Sequence, residues 1–340
     1  MQNVHVYTIN GECYNNYVNN KQIRKGDMLD KMKTNKIKSN LANTSKIKQN
    51  VALSLLCLPG VIWVICFCYL PMFGVIVAFK DYNYIDGILH SPWVGFRYFK
   101  YFFTSNDAGV VIRNTLGYNL IFMFINQIAP LFVALCLYEM KKSVKVYQTA
   151  MILPNFISWV LVAYIGYAFF SQDTGIINAA IKSLGGKGIQ WYSEPKYWPA
   201  ILVIFNLWKN TGMGSILYYA SLCAIDASLF EAAEIDGAKR FKQIIYISLP
   251  EIAPVICILL IMSVGTIMGG DFGLFYQVPR NSGALYSVTD IIPTYIYRLL
   301  QNGNMSYGSA VGLFQNLVGA ALLLVANFVI KKINPENALF

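Results

Sequence analysis

Asn206, Trp208, Lys209, Asn210 and Thr211 stand together in the middle of a long apolar run, and no other residues here are better equipped to meet a solute. Their chemistry would be recognition. Amides, a hydroxyl and an ammonium can hydrogen-bond to a polar solute, and an indole offers a flat face on which a ring can stack. A charge inside an apolar span is costly unless it faces water or a partner, which makes Lys209 the sharpest of the set. Ser263, Thr266 and Asp271 add hydrogen-bonding groups on the next apolar run and at its end. A plainer reading stays open, in which Lys209 snorkels to an interface and the amides stitch helices together.

Covalent chemistry lacks its tools. The only histidines are His5 and His90, and no Gly-x-x-x-x-Gly-Lys-Ser/Thr run exists to cradle nucleotide phosphates. No His/Cys/carboxylate group has metal-ligand spacing, and no Ser-His-Asp set is available. The expectation is a chain that is not an enzyme, with no catalytic residue, metal or cofactor of its own. Any ATP the system uses must be hydrolysed by another chain.

A second group is built for docking. Glu231-Ala232-Ala233-Glu234-Ile235-Asp236-Gly237-Ala238, continuing through Phe241 to Leu249-Pro250, is a polar island between two apolar runs. It reads as two small helices hinged at Gly237, which can take the left-handed conformation that ends one helix and redirects the next. Ser228 and Glu231 have the spacing of a capping box. The alanines keep the surface shallow enough for another backbone to approach, and Phe241, Ile244 and Ile245 offer an apolar face. The plain alternative is that Glu231 only caps its helix and Asp236 only stops it.

The elements that must position these groups are membrane spans. Apolar residues make up 56% of the 340-residue chain and charged residues 13%, where a soluble domain carries about 45–50% and 25%. The expected fold is therefore all-α and polytopic, with six spans near Val51–Phe79, Asn114–Tyr138, Val146–Phe170, Tyr197–Cys223, Pro250–Met268 and Ser309–Ile330. Residues 1–50 read as a basic cytoplasmic tail, 51–332 as the spanning domain with the docking loop at 225–250, and 333–340 as a short cytoplasmic end. Lys141, Lys142, Lys145, Lys239, Arg240, Lys242, Lys331 and Lys332 fall on the side of that tail. The excess of positive charge puts both termini and the Glu231 loop in the cytoplasm. The net charge of +10 is placed for lipid headgroups rather than nucleic acid. Pro59-Gly60, Pro71, Pro130, Pro154, Gly212 and Gly214 mark breaks or kinks that spanning helices tolerate. The cysteines sit mostly in apolar runs and imply no disulfide framework.

At the residue level the Glu-Ala-Ala, Asp-Gly-Ala and Leu-Pro series resembles the cytoplasmic EAA loop of permease subunits in ATP-binding-cassette (ABC) importers. Pro59-Gly60, Tyr69-Leu70-Pro71, Trp93-Val94-Gly95-Phe96, Asn114-Thr115, Trp208-Lys209-Asn210, Phe275-Tyr276-Gln277-Val278, Tyr297-Arg298 and Tyr307-Gly308-Ser309-Ala310 are similar to the carbohydrate-uptake group, in particular the oligosaccharide permeases of Gram-positive bacteria. The resemblance implies a type I ABC importer permease fold in the bacterial cell membrane. It implies as partners a second homologous permease, two ATPase subunits that bind ATP and Mg, an extracellular substrate-binding lipoprotein and a carbohydrate substrate. It assigns Glu231, Ala232, Ala233, Asp236, Gly237, Ala238, Phe241, Leu249 and Pro250 to ATPase coupling. A permease for a non-sugar solute is the nearest alternative. A secondary transporter is less consistent, because Asp and Glu are nearly absent from the six spans.

Overall fold

The computed structural model describes residues 50–333, apart from 52 and 141. Residues 1–49 of the expected basic tail, Lys141 and residues 334–340 lie outside the described residues. The chain divides into two compact units, 1–73 and 74–340. The described part of the first is apolar helix with its side chains exposed, Leu56 and Phe67 among them. It belongs to α1, Leu53–Phe79, in which a widened turn, Ile65–Tyr69, precedes Leu70-Pro71. Proline has no N–H for the helical ladder, and a π-turn ahead of it absorbs the misfit.

In the second unit every named element is a helix. The longer ones are α2 (Arg97–Thr104), α3 (Asn106–Glu139), α4 (Val144–Phe156), α5 (Trp159–Phe170), α6 (Ile176–Ser183), α7 (Trp198–Cys223), α8 (Ala227–Ile235), α9 (Arg240–Gly265), α10 (Phe272–Gln277), α11 (Ile292–Gln301) and α12 (Met305–Ile333). Four helices, α1, α3, α9 and α12, are each long and apolar enough to cross a membrane. Two bent pairs also qualify when each is counted as one span: α4 with α5, bent by 95°, and the run through α7 with α8, bent by 69°.

Three expected spans are corrected by local chemistry. The helix expected at Asn114–Tyr138 starts at Asn106, because the Ser105 hydroxyl accepts from the Ala108 N–H and Asp107 lies in the first turn. The continuous span expected at Val146–Phe170 is broken at Ile157-Ser158. Pro154 lies in the last turn of α4, and Ser158 caps the new helix by accepting from the Leu161 N–H. The span expected at Pro250–Met268 begins ten residues earlier, at Arg240, and stops at Gly265. Its Leu249-Pro250 again follows a π-turn, Ile244–Ser248. The second small helix of the Glu231 loop is thus the first turn of α9.

Buried side chains join these helices. Tyr118, Phe122, Val162, Trp198, Leu202 and Phe275 form one core, and Phe102, Val111, Ile292, Tyr295 and Val311 another. Gly212 does not kink α7. A Cβ there would lie 1.8 Å from the Met151 carbonyl oxygen, so glycine lets the backbones of α4 and α7 touch.

Candidate functional site

On α7 residues three and four apart are neighbours on one face, whereas adjacent residues point about 100° apart. Asn206 and Asn210 therefore share a face, whereas Lys209, adjacent to Asn210, turns from it toward Phe205 and Gly212. The Asn206–Asn210 face meets α3, α9 and α12 around a cavity of about 500 Å³. Asn119, Phe122 and Asn126 enter from α3, Ser263 from α9 with Thr266 just beyond it, and Gln315 and Asn316 from α12. The turn from Thr266 to Asp271 closes one end. Asn119 holds that turn by donating from Nδ2 to the carbonyls of Ile267 at 2.9 Å and Gly269 at 3.1 Å. Asp271 then caps α10, its Oδ1 accepting from the Leu274 N–H at 3.3 Å.

Five of the eight residues expected along a solute path line this cavity: Asn206, Asn210, Ser263, Thr266 and Asp271. Trp208, Lys209 and Thr211 do not. Lys209 is buried on the opposite course. Its Nζ donates to the carbonyls of Asn155 at 2.9 Å, Pro154 at 3.2 Å and Ile157, and it sits 5.1 Å over the Trp159 ring. The ammonium thus gathers the carbonyls of the α4–α5 break, that of Pro154 also accepting from the Ile157 N–H at 3.2 Å. Asn119, Asn126, Gln315 and Asn316 lie outside the residues expected from sequence. Their signal is an amide in an otherwise apolar helix, Asn119 and Asn126 two turns apart on α3 and Gln315 beside Asn316 on α12.

Three buried amide oxygens of the cavity, Asn126 Oδ1, Asn206 Oδ1 and Gln315 Oε1, have no partner among the described residues. Leaving a buried acceptor unmade costs about 1–3 kcal/mol, so the cavity suits a guest with hydroxyl donors, water or a polyol.

The Glu231 loop is shaped by its glycine. Gly237 has φ +73°. The N–H of Ala238 reaches the Ala233 carbonyl at 2.8 Å and that of Gly237 reaches Glu234 at 3.0 Å, the paired bonds of a Schellman motif. The expected capping box at Ser228 and Glu231 is replaced: Asp226 is the N-cap and accepts from the Ser228 N–H at 3.0 Å. That leaves Glu231 exposed alongside Ala232, Asp236, Gly237, Phe241 and Pro250, while Ala233, Ala238 and Leu249 are half-buried. Arg240 ties the loop down, 3.6 Å from Glu139 at the end of α3 and 3.5 Å from Glu234. Buried Gln243 donates to the Ala238 carbonyl at 3.2 Å.

At the other end of the helices, buried Asp290 pairs with Arg298 and accepts from Thr294 at 2.8 Å. Burial pushes its carboxyl up, against the pull of Arg298. Asn114 donates to the Ser287 and Asp290 carbonyls, and Thr115 accepts from the Ile292 N–H at 2.9 Å. This network seats the segment between α10 and α11 on α3.

The family described as binding-protein-dependent transport system inner membrane component matches residues 128–336. Protein LplB of Bacillus subtilis (strain 168) is 40% identical over 297 residues, which cover 86% of this chain and 92% of that protein. The polygalacturonan/rhamnogalacturonan transport system permease protein YteP of the same organism is 35% identical over 295 residues, 86% of this chain and 91% of that protein. Among solved structures, a chain of a bacterial ABC transporter involved in the import of the acidic polysaccharide alginate superposes with a TM-score of 0.78 at 33% identity. The match covers 85% of this chain and 98% of that one. A second structure holds that transporter with an alginate pentasaccharide-bound periplasmic protein, TM-score 0.77 at 32% identity over 85% and 97% of the two chains.

Proposed function

The chain belongs to the binding-protein-dependent transport system inner membrane components, and from that premise we propose that it is one permease subunit of an ATP-driven importer of oligosaccharides. The observation that carries the substrate reading is the amide-rimmed cavity, whose buried acceptor oxygens suit sugar hydroxyls. Its volume of about 500 Å³ is in the range of small-molecule sites, roughly 300–1,000 Å³. YteP and the alginate transporter are named for polysaccharides.

In this reading the subunit forms half of the pathway beside a second homologous permease, with both termini and the Gly237 loop in the cytoplasm. Two ATPase subunits dock there and hold ATP and Mg, and a binding lipoprotein delivers sugar from outside. Glu231, with Ala232, Ala233 and Asp236, meets a groove of the ATPase. Phe241 inserts its ring, and Gly237 holds the turn that lets α8 sit at an angle to α9. Leu249-Pro250 and the π-turn before it transmit the movement. Closure of the ATPases pulls on α8, Arg240 passes the pull to α3 and α9, and two walls of the cavity shift together. The remaining walls are α7 and α12.

The test is reconstitution. The chain alone should hydrolyse no ATP and transport nothing. Co-expressed with its genetic neighbours and placed in proteoliposomes, it should import an oligosaccharide in an ATP-dependent way, and Asn206→Leu with Asn210→Leu should abolish uptake while the complex still assembles. ATP turnover by the chain alone, or full uptake by the double variant, overturns the proposal.

A further inference from the structure

The cavity is rimmed with polar side chains, with Phe122, Met123 and Met268 between them, yet no cationic side chain is among them. Its hydrogen-bonding groups are amides and hydroxyls, and its one ionisable residue is Asp271; no Lys, Arg or His is among the described residues that line it. The neighbouring cation is turned away. The Lys209 ammonium has three hydrogens to give, and the carbonyls of Pro154, Asn155 and Ile157 take them on the far side of α7. The positive charge that the sequence places in the middle of the apolar run thus gives its hydrogens to the fold and offers none to a solute, although from behind the wall it still attracts the Asp271 carboxylate.

We infer that this cavity selects neutral oligosaccharides and rejects uronate-containing ones, with Asp271 as the residue that sets the charge preference. The inference rests on the sugar-import reading above and specifies its substrate class. A pyranose hydroxyl is donor and acceptor at once, so it pairs with either end of an asparagine or glutamine amide. A carboxylate brings only acceptors and a full charge. Here it would leave its water shell for a wall with no ammonium or guanidinium to replace it, facing Asp271 in a space where like charges are poorly screened. The identity to transporters of acidic polysaccharides does not carry over the charge, because charge is set by the few side chains that line the cavity rather than by the helices that frame it.

The test reads the cavity charge without any sugar. In the assembled importer, in a background with its native cysteines replaced, Asn210→Cys is modified with a cationic and an anionic methanethiosulfonate reagent, and each rate is divided by that for a small free thiol. The cationic-to-anionic ratio should exceed unity by about five-fold for one carboxylate at the wall, partly offset by Lys209 from behind. It should fall to within about two-fold in Asp271→Asn, which keeps the cap to Leu274. Asn316→Cys should give the same ratio from the α12 wall. In parallel, uptake is compared for a neutral oligosaccharide and for a uronate of the same length and linkage. An anionic preference, a ratio unmoved by Asp271→Asn, or equal uptake of the two sugars overturns the inference. A cationic preference with no sugar imported overturns the sugar reading instead and leaves the charge assignment standing. No reaction at either cysteine in any nucleotide state overturns both.

Discussion

Replacing Lys209 by methionine separates a structural ammonium from a substrate-contacting one. Methionine keeps the length and packing but removes three donated hydrogen bonds, to the carbonyls of Pro154, Asn155 and Ile157. Interhelical hydrogen bonds in membrane proteins average about 0.6 kcal/mol, which sets a floor near 2 kcal/mol for three. Bonds from a charged donor are worth about 1.5 kcal/mol or more, which raises the expectation to about 4–5 kcal/mol. The three carbonyls crowd a 95° break between α4 and α5, so the helices cannot close up to recover them. With about 2–4 °C per kcal/mol for a domain of 150–250 residues, the melting temperature of the purified complex should fall by at least about 4 °C. Lys209→Arg, which retains charge and donors, should recover part of the loss. The assay is thermal unfolding in detergent by retained monodispersity, alongside uptake per folded transporter. A methionine variant with wild-type melting and abolished uptake would falsify this account and return Lys209 to the solute path.

Gly237→Pro and charge reversal at Glu231 should both release the ATPase subunits on co-purification without loss of membrane insertion, and Gly237→Pro should be the harsher because φ of +73° is closed to proline. Wild-type co-purification and uptake in both would sink the docking role. Gly212→Ala puts a methyl within 1.8 Å of the Met151 carbonyl oxygen and should cost about 1–3 kcal/mol in melting or abolish expression. Arg240→Gln loses two exposed ion pairs, to Glu139 and Glu234. It should change stability by under about 1 kcal/mol while lowering the uptake obtained per ATP hydrolysed; unchanged coupling refutes the tie between α3 and the loop. Asn119→Ala should loosen the turn it holds through Ile267 and Gly269, and faster modification of a cysteine placed at Thr266 would report it.

The sequence alone determined the class of fold and the hinged shape of the Glu231 loop. Long apolar runs with few charges leave the backbone no option but helix in a bilayer, and the bend at Gly237 is written in local residues, since only glycine takes that φ cheaply. Even there the cap belonged to Asp226 and not Ser228, because two adequate caps stood two residues apart and only the settled helix start chooses between them. The cavity was half legible. Asn206 and Asn210 stand out because they break an apolar run, and Lys209 joins them only by proximity in sequence. The helix assigns residues three and four apart, and not neighbours, to one face, so Asn210 turns to the cavity while Lys209 turns to α4. That division depended on where α4 broke, which depended in turn on Pro154, on the Ser158 cap and on a lysine fifty residues downstream whose ammonium reached the carbonyls of the break. Local rules stop at the element. Which carbonyls a buried ammonium meets, and hence whether it offers its charge to a solute or spends it on the fold, is settled only when distant helices pack.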